Sequence, residues 1–179
     1  MNKAIAIIVL CFLIIGCGTP KESLKLKTVK TKDFTIEYPD TWIKSVSGFG
    51  SINLIPKKIK KTVNELNYLS INNNIIFLEK SDEVENKLIE FSEYTYKWQK
   101  NKVFKISKIN SNSLFLYKIE SVFETNFDKK TYKKIEYFYT FKNKKYINYI
   151  SFQMQEDLYN KYIHQALFII NSLKLKNIK

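Results

Sequence analysis

The sequence predicts an α+β domain in which an antiparallel β-sheet is covered by two helices. Two stretches carry apolar side chains at the three- and four-residue spacing of an amphipathic helix, one from Val84 and one from Glu156. Before and between them, short stretches alternate apolar and polar residues and are separated by turn-forming residues, which is typical of half-buried strands. The order of strands, helix, antiparallel strands and helix favours helices that cover a sheet.

Three strands are predicted before the first helix. Residues Asp33 to Pro39 alternate apolar and polar and stop at a proline, which cannot donate to a central ladder. The turn Asp40-Thr41-Trp42 follows, and Ile52 to Pro56 repeats the pattern of a strand that ends in proline. The lysine-rich stretch 57–67 is predicted to be an exposed loop, and a third strand is predicted near Tyr68 to Phe77.

Each helix has one apolar stripe. The first stripe is Val84, Leu88, Phe91, Thr95 and Trp98, and the second is Leu158, Tyr162, Ala166, Ile169 and Leu173. Asp82 is the predicted N-cap of the first helix, and the second is expected to run from Glu156 to Leu175 with Lys174 and Lys176 in its last turn. The side chains expected to be buried are Trp42, Leu88, Phe91, Trp98, Ile169 and Leu173.

The region between the helices predicts an antiparallel meander. Its strands are roughly Val103–Ile109, Leu114–Phe123, Tyr132–Phe141 and Lys145–Met154. Alternation sends Tyr137 and Tyr139 to one face of the sheet and Phe138 to the other. Helices on both faces would cover most of these aromatic rings, whereas an open face would leave a tyrosine and lysine surface able to dock a protein or a glycan.

The amino terminus carries a secretory signal. Met1-Asn2-Lys3 is positively charged, and an apolar run follows from Ala4 to Ile15. A spanning helix needs about 20 apolar residues, so this run is too short for a permanent anchor. The run ends in Ile14-Ile15-Gly16-Cys17, which resembles the lipobox of bacterial lipoproteins. The resemblance implies cleavage before Cys17 and attachment of lipid to its thiol.

The predicted organisation follows from this processing. Residues 1–16 form the signal peptide, residues 17–32 a flexible tether, and residues 33–179 one domain without a disulfide, because Cys17 is the only cysteine left after cleavage. Stable anchoring needs two or more acyl chains, such as palmitate, and a mature lipoprotein carries at least two. Gly18 is not the aspartate that retains lipoproteins at the inner membrane in some bacteria, so the outer membrane is favoured if the organism has one.

The charge of the chain is strongly positive. Its formal net charge is +13, and every basic residue is a lysine. Specific recognition of phosphates and bases relies on the guanidinium fork of arginine, so a nucleic-acid partner is not expected. The lysines can still favour an anionic surface or an acidic envelope protein.

No catalytic, metal or cofactor motif stands out in the sequence. The one histidine, His164, lies in the second helix without a cysteine or carboxylate at ligand spacing and is expected to be a partly exposed helix residue. The carboxylate pairs Glu83/Glu85 and Glu156/Asp157 lie at helix starts, where the helix dipole explains them. No cofactor is predicted.

Two short segments resemble a known family. Phe34-x-Ile36-x-Tyr38-Pro39-x-x-Trp42 resembles the first strand of PsbP-like domains, and the segment 167–173 is similar to their closing helix. The family includes a photosystem extrinsic subunit and envelope lipoproteins of the DcrB and LpqN groups. The resemblance implies an α/β/α sandwich that binds or assembles partners, and it supplies no catalytic residues. The favoured function is therefore a non-catalytic envelope module; the alternative is an enzyme that acts on an envelope substrate through an unrecognised carboxylate site.

Overall fold

The computed structural model describes residues 25–47, 51–59, 66–78, 83–97, 100–110, 113–140 and 146–176. The strands in these ranges are β1 (Leu26–Lys30), β2 (Phe34–Pro39), β3 (Trp42–Val46), β4 (Ile52–Pro56), β5 (Tyr68–Phe77), β6 (Lys100–Lys108), β7 (Tyr117–Glu124), β8 (Thr131–Thr140), β9 (Tyr146–Gln155) and β10 (Lys174–Leu175). The helices are α1 (Val84–Lys97) and α2 (Glu156–Asn171).

The strands form two antiparallel sheets. The large sheet has seven strands in the order β3-β4-β5-β9-β8-β7-β6, and the small sheet has three in the order β1-β2-β10. Every pairing in both sheets is antiparallel. The predicted fold class, an antiparallel sheet with two helices, is confirmed; the separate small sheet was not predicted.

Each face of the large sheet packs against one helix. On the first face, here the α2 face, Tyr162 and Ile169 of α2 join a buried cluster with Trp42 and Phe152. On the opposite, α1 face, Leu88 of α1 belongs to a second cluster. Apolar side chains on both faces of the sheet are therefore removed from contact with water. This burial is the main source of stability for such layers.

The meander aromatics divide between the faces as predicted. Tyr139 is buried in the α2-face cluster and Tyr137 packs against that cluster. Phe138 lies in the α1-face cluster, where the ring of Phe91 meets it edge-on at 6.4 Å between centroids. Because both faces carry helices, most of these rings are absorbed into the core.

The predicted core residues are largely confirmed. Trp42, Leu88 and Ile169 have no exposed surface, and Leu173 is 5% exposed. Phe91 is only half-buried. Trp98 and the proposed N-cap Asp82 lie outside the described residues.

The predicted tether is wrong at its carboxyl end. Leu26 to Lys30 form β1, which pairs with β2 over its whole length, so the folded domain includes residues before Asp33. Only Val29 of this strand is buried. Its sequence, Leu-Lys-Thr-Val-Lys, lacks the alternation of apolar and polar residues that marks a half-buried strand, so the strand was not predicted.

The predicted end of the second helix is also wrong. The helix ends at Asn171, and the Ser172 hydroxyl that follows accepts from the Glu37 N–H at 2.8 Å. The single proton of this hydroxyl is within reach of the Ile169 carbonyl at 2.7 Å and of the Glu37 carbonyl at 3.0 Å. Lys174 and Leu175 then pair with β2 as β10. Lys174 therefore lies in a strand and not in the last turn of the helix.

Candidate functional site

The candidate site residues predicted from the sequence do not all lie within the described ranges. Cys17 and the rest of the lipobox lie outside the described residues, so lipid attachment remains a prediction. His164 is exposed on α2. In the described part of the chain, no group of three or more His, Cys, Asp or Glu side chains could hold a metal ion.

A groove opens on the α2 face, between α2 and the strands β6 to β8. Its volume is about 310 Å³. Lys105 of β6, Glu120 and Val122 of β7, and Lys133 of β8 line it on the sheet side, and Tyr159 of α2 lines the opposite wall. The antiparallel register explains the grouping, because Lys105 pairs with Glu120 and Val122 pairs with Lys133 across the strands.

The groove carries both signs of charge. The Lys118 ammonium lies 3.1 Å from the Glu120 carboxylate, and the Lys133 ammonium lies 3.2 Å from the Glu156 carboxylate at the start of α2. These side chains keep between about a third and a half of their surface exposed, so the pairs are worth little to stability. Lys105 is exposed to solvent. An anionic or polar ligand could therefore meet cations here that are not deeply buried.

Tyr159 presents a hydroxyl that stays protonated. Burial, together with the nearby Glu120 carboxylate and Tyr137, raises the pKa of Tyr159 above its ordinary value. Burial likewise raises the pKa of Tyr137, which packs against Phe115 at 5.1 Å between ring centroids. Both phenols therefore remain neutral hydrogen-bonding groups near neutral pH. They offer apolar area and a polar tip, as tyrosines at binding surfaces commonly do.

A buried ion pair lies on the α1 face. The Lys134 ammonium is 2.7 Å from the Glu136 carboxylate, and their side chains are 10% and 1% exposed. Burial, with the Glu136 charge second, raises the pKa of the neighbouring Tyr149. The buried serines Ser70 and Ser151 complete a polar row, since the register joins them to each other and joins Ser151 to Glu136.

Neither the groove nor the ion pair was predicted from the sequence. A tyrosine and lysine surface was expected in general terms, but the strand order that brings Lys105, Lys133 and Tyr159 together is a tertiary property. Lys134 and Glu136 do carry a signal, because two residues apart on a strand they share one face. Their burial could not be deduced without knowing that a further layer covers that face.

The described groove suits binding better than covalent chemistry. Its Glu120 and Lys133 pair with Lys118 and Glu156 respectively, and its Tyr159 is held protonated. Acid and base catalysis would need groups poised near the working pH within reach of one another. The groove has instead charged groups at its rim and the aromatic ring of Tyr159 in its wall, a composition found at recognition surfaces.

The architecture defines the class of this domain: it is a PsbP-like α+β sandwich. Over 91% of this chain and 99% of the other chain, the structure is similar to the solution structure of cyanobacterial PsbP (CyanoP) from Synechocystis sp. PCC 6803, with a TM-score of 0.53 and 10% sequence identity. The likeness shows the fold alone, because so low an identity transfers no site residues. The resemblance inferred from the Phe34–Trp42 motif is thus confirmed for the fold.

The other comparisons give no family. No protein-family model matches the sequence, and no curated protein matches it. Among the helices in the described ranges, neither is long and apolar enough to cross a membrane.

Proposed function

We propose that this chain is a lipid-anchored lipoprotein of the cell envelope whose PsbP-like domain is a non-catalytic binding or assembly module. The groove between α2 and strands β6 to β8 is its recognition surface. The observation that carries the proposal is the composition of that groove: the exposed Lys105 and the partly exposed Lys133 lie beside the protonated Tyr159. Its partner is an acidic envelope protein or another anionic envelope surface.

The anchor part of the proposal is supported by the sequence. Ile14-Ile15-Gly16-Cys17 follows a short apolar run, as in lipoprotein precursors. The folded part begins no later than Leu26, which leaves a short stretch between the lipid and the domain. The domain would therefore work close to a bilayer, and the outer membrane is favoured where one exists.

The binding part is supported by the fold and by the charges. The PsbP-like sandwich leaves one corner of the α2 face uncovered beside Tyr159, and the lysines there lie at the surface. Lysines at the rim of an interface raise the association rate with an acidic partner, and aromatic residues beside them contribute buried area.

The anchor is tested by metabolic labelling with an alkyne fatty acid. The wild-type chain is expected to take up label and to be shortened before Cys17, whereas Cys17→Ser is expected to remain unprocessed and unlabelled. Label that persists in Cys17→Ser would contradict attachment at this residue. A mutant of Cys11, the other cysteine, is the matched control and is expected to be labelled normally.

The groove is tested by crosslinking the full chain in native membranes and identifying captured proteins by mass spectrometry. Lys105→Glu is expected to lower the yield of any specific partner several-fold by reversing the charge at the groove rim. Lys44→Glu is the matched control, because Lys44 is also an exposed strand lysine but lies on β3, at the other side of the large sheet. Equal loss in both variants would show that general charge, and not the groove, attracts the partner.

The enzyme alternative is tested with the purified chain and its variants. Conversion of an envelope substrate by the purified chain, lost on Glu120→Gln but retained in Lys44→Glu, would replace the binding proposal by catalysis at the groove. A reproducible partner without such turnover supports the binding module.

A further inference from the structure

The turn between β7 and β8 carries the most exposed of the described large apolar side chains. Phe127 is 87% exposed, at the tip of the turn Thr125–Lys130. A single exposed apolar residue is ordinary on a protein surface. Phe127 matters because of how its turn is built and where on the domain that turn lies.

The turn holds Phe127 in a fixed position. The Asp128 carboxylate accepts hydrogen bonds from the Thr125 hydroxyl, from the Lys130 N–H at 3.0 Å and from the Tyr132 hydroxyl at 2.7 Å. The Thr125 N–H also donates to the Lys130 carbonyl at 3.2 Å. Lys129 adopts a left-handed conformation with φ of 57°. A turn closed by this many hydrogen bonds presents its apolar tip at little further cost in conformational entropy.

The turn lies at the end of the large sheet where the chain enters from the predicted lipid. Lys25, the first described residue, accepts a hydrogen bond from the Asp40 N–H at 2.8 Å, next to the start of β3 at Trp42. The antiparallel pairings place four further strand termini at the same end of the large sheet. These are the last residues of β4, the first of β5, the last of β9 and the first of β8, at Thr131. We call it the entry end; it is marked by Trp42, Pro56, Gln155 and Thr131.

The distances allow the entry end to meet the bilayer. Cys17 precedes Lys25 by eight residues, so an extended chain places the lipid at most about 28 Å from Lys25. Four strand spacings separate β3 from β8, which is about 20 Å along the sheet. A domain held by so short a tether has a high effective concentration at the membrane surface.

The charges around the turn are mixed: Asp128 follows Phe127 directly, and Lys129 and Lys130 come next. Lys129 is exposed, and Lys130 is partly exposed with its ammonium donating to the Gln155 side chain at 3.3 Å. The acidic groups are Glu124 at the end of β7, Asp128, which is held by the hydrogen bonds above, and Glu156 and Asp157 in the first turn of α2, where Glu156 pairs with Lys133. Exposed lysines close to an anionic headgroup region are attracted to it.

We propose that the β7–β8 turn is a membrane-contact site: with the chain held at Cys17, the Phe127 ring enters the interfacial region of the same bilayer while Lys129 and Lys130 meet anionic headgroups. The proposal rests on the lipid anchor of the proposed function and adds the orientation of the domain. The contact presents the entry end to the membrane and leaves the carboxyl-terminal end of α2 facing away from it.

The test places the photoreactive phenylalanine analogue p-benzoylphenylalanine at position 127 of the full chain and irradiates native membranes. The matched control carries it at position 77, because Phe77 is 54% exposed but lies at the end of β5 opposite the entry end. Lipid adducts are expected on the peptide that contains position 127, with none above background on the peptide that contains position 77. Equal lipid adducts at both positions, or none at position 127, would overturn the proposal. A protein adduct at position 127 would overturn it too, in favour of a protein partner for the turn.

A second arm separates this proposal from the anchor. The chain from residue 17 onward, which contains all of the described fold, is coupled through the Cys17 thiol to maleimide lipid in phosphatidylglycerol–phosphatidylcholine vesicles or in phosphatidylcholine vesicles. Lipid adducts at position 127 that are several-fold stronger with phosphatidylglycerol support the contact, even if fatty-acid labelling has failed and the natural anchor is disproved. Absence of lipid adducts from both vesicle types refutes the contact, even if the natural anchor is intact.

Discussion

Removing one partner of the buried Lys134–Glu136 pair is expected to destabilise the domain strongly. At 2.7 Å and an effective dielectric constant of about 20, Coulomb's law gives an attraction of about 6 kcal/mol. Desolvation of the two charges, at 10% and 1% exposure, offsets most of that attraction. Glu136→Leu removes the attraction but leaves the Lys134 ammonium largely buried. The expected loss of unfolding free energy is about 3–5 kcal/mol.

The assay is urea unfolding followed by tryptophan fluorescence, with the double variant Lys134→Met/Glu136→Leu as the control. The double variant removes both charges, so it is expected to recover most of the loss and to lie within about 1 kcal/mol of the wild type or above it. The slope of the unfolding free energy against urea concentration should be the same in the variants as in the wild type if the native fold is kept. A loss below about 1 kcal/mol in Glu136→Leu would show that water reaches the pair and would refute the reasoning from burial.

Three further outcomes follow from individual contacts. The Trp42 indole N–H donates to the Gln165 side chain at 2.7 Å. Trp42→Phe should therefore lower the unfolding free energy by about 1–3 kcal/mol. In a double-mutant cycle with Gln165→Leu, the coupling energy should be about 1 kcal/mol; additive losses would argue against the hydrogen bond. Partial burial raises the pKa of Asp128, but hydrogen bonds from the Thr125 and Tyr132 hydroxyls and from the Lys130 N–H lower it by more. The pKa of Asp128 therefore lies below its ordinary value of 3.8. The stability that Asp128 contributes is thus fully present above that value and is lost as pH falls through its lower folded pKa. Asp128→Asn should flatten the acid limb of a stability-versus-pH curve, and an unchanged limb would contradict this. Lys129→Gly should raise the unfolding free energy by up to about 1 kcal/mol by relieving a left-handed φ of 57°. A decrease in the unfolding free energy, measured by urea unfolding, would show that the conformation is not strained.

The main strands and helices could be predicted because their evidence is local. Phe34 to Pro39 has side chains that alternate between fully and partly buried, and the second helix buries Tyr162, Ala166 and Ile169 at helical spacing. Both patterns appear directly in the order of apolar residues. The division of Tyr139 and Phe138 between the two faces follows from the same period of two.

The missed elements depend on distant partners. β1 is recognisable only from its pairing with β2, because four of its five residues are exposed. The apolar spacing of the last helix continues to Leu173, yet the helix ends at Asn171, where the Ser172 hydroxyl accepts from the N–H of Glu37, which lies 135 residues earlier in the chain. Nothing in the local sequence near Ser172 specifies that contact.

The sequence by itself determined the α+β class, the faces of the main strands and the expectation of a lipid at Cys17, since each follows from the order of neighbouring residues. Tertiary structure alone decided the strand order β3-β4-β5-β9-β8-β7-β6. That order joins Lys105, Lys133 and Tyr159 in one groove and places the Phe127 turn at the entry end. The physical reason is that alternation fixes which way a side chain points, whereas its neighbours depend on which strands exchange backbone hydrogen bonds, and those bonds carry little sequence information.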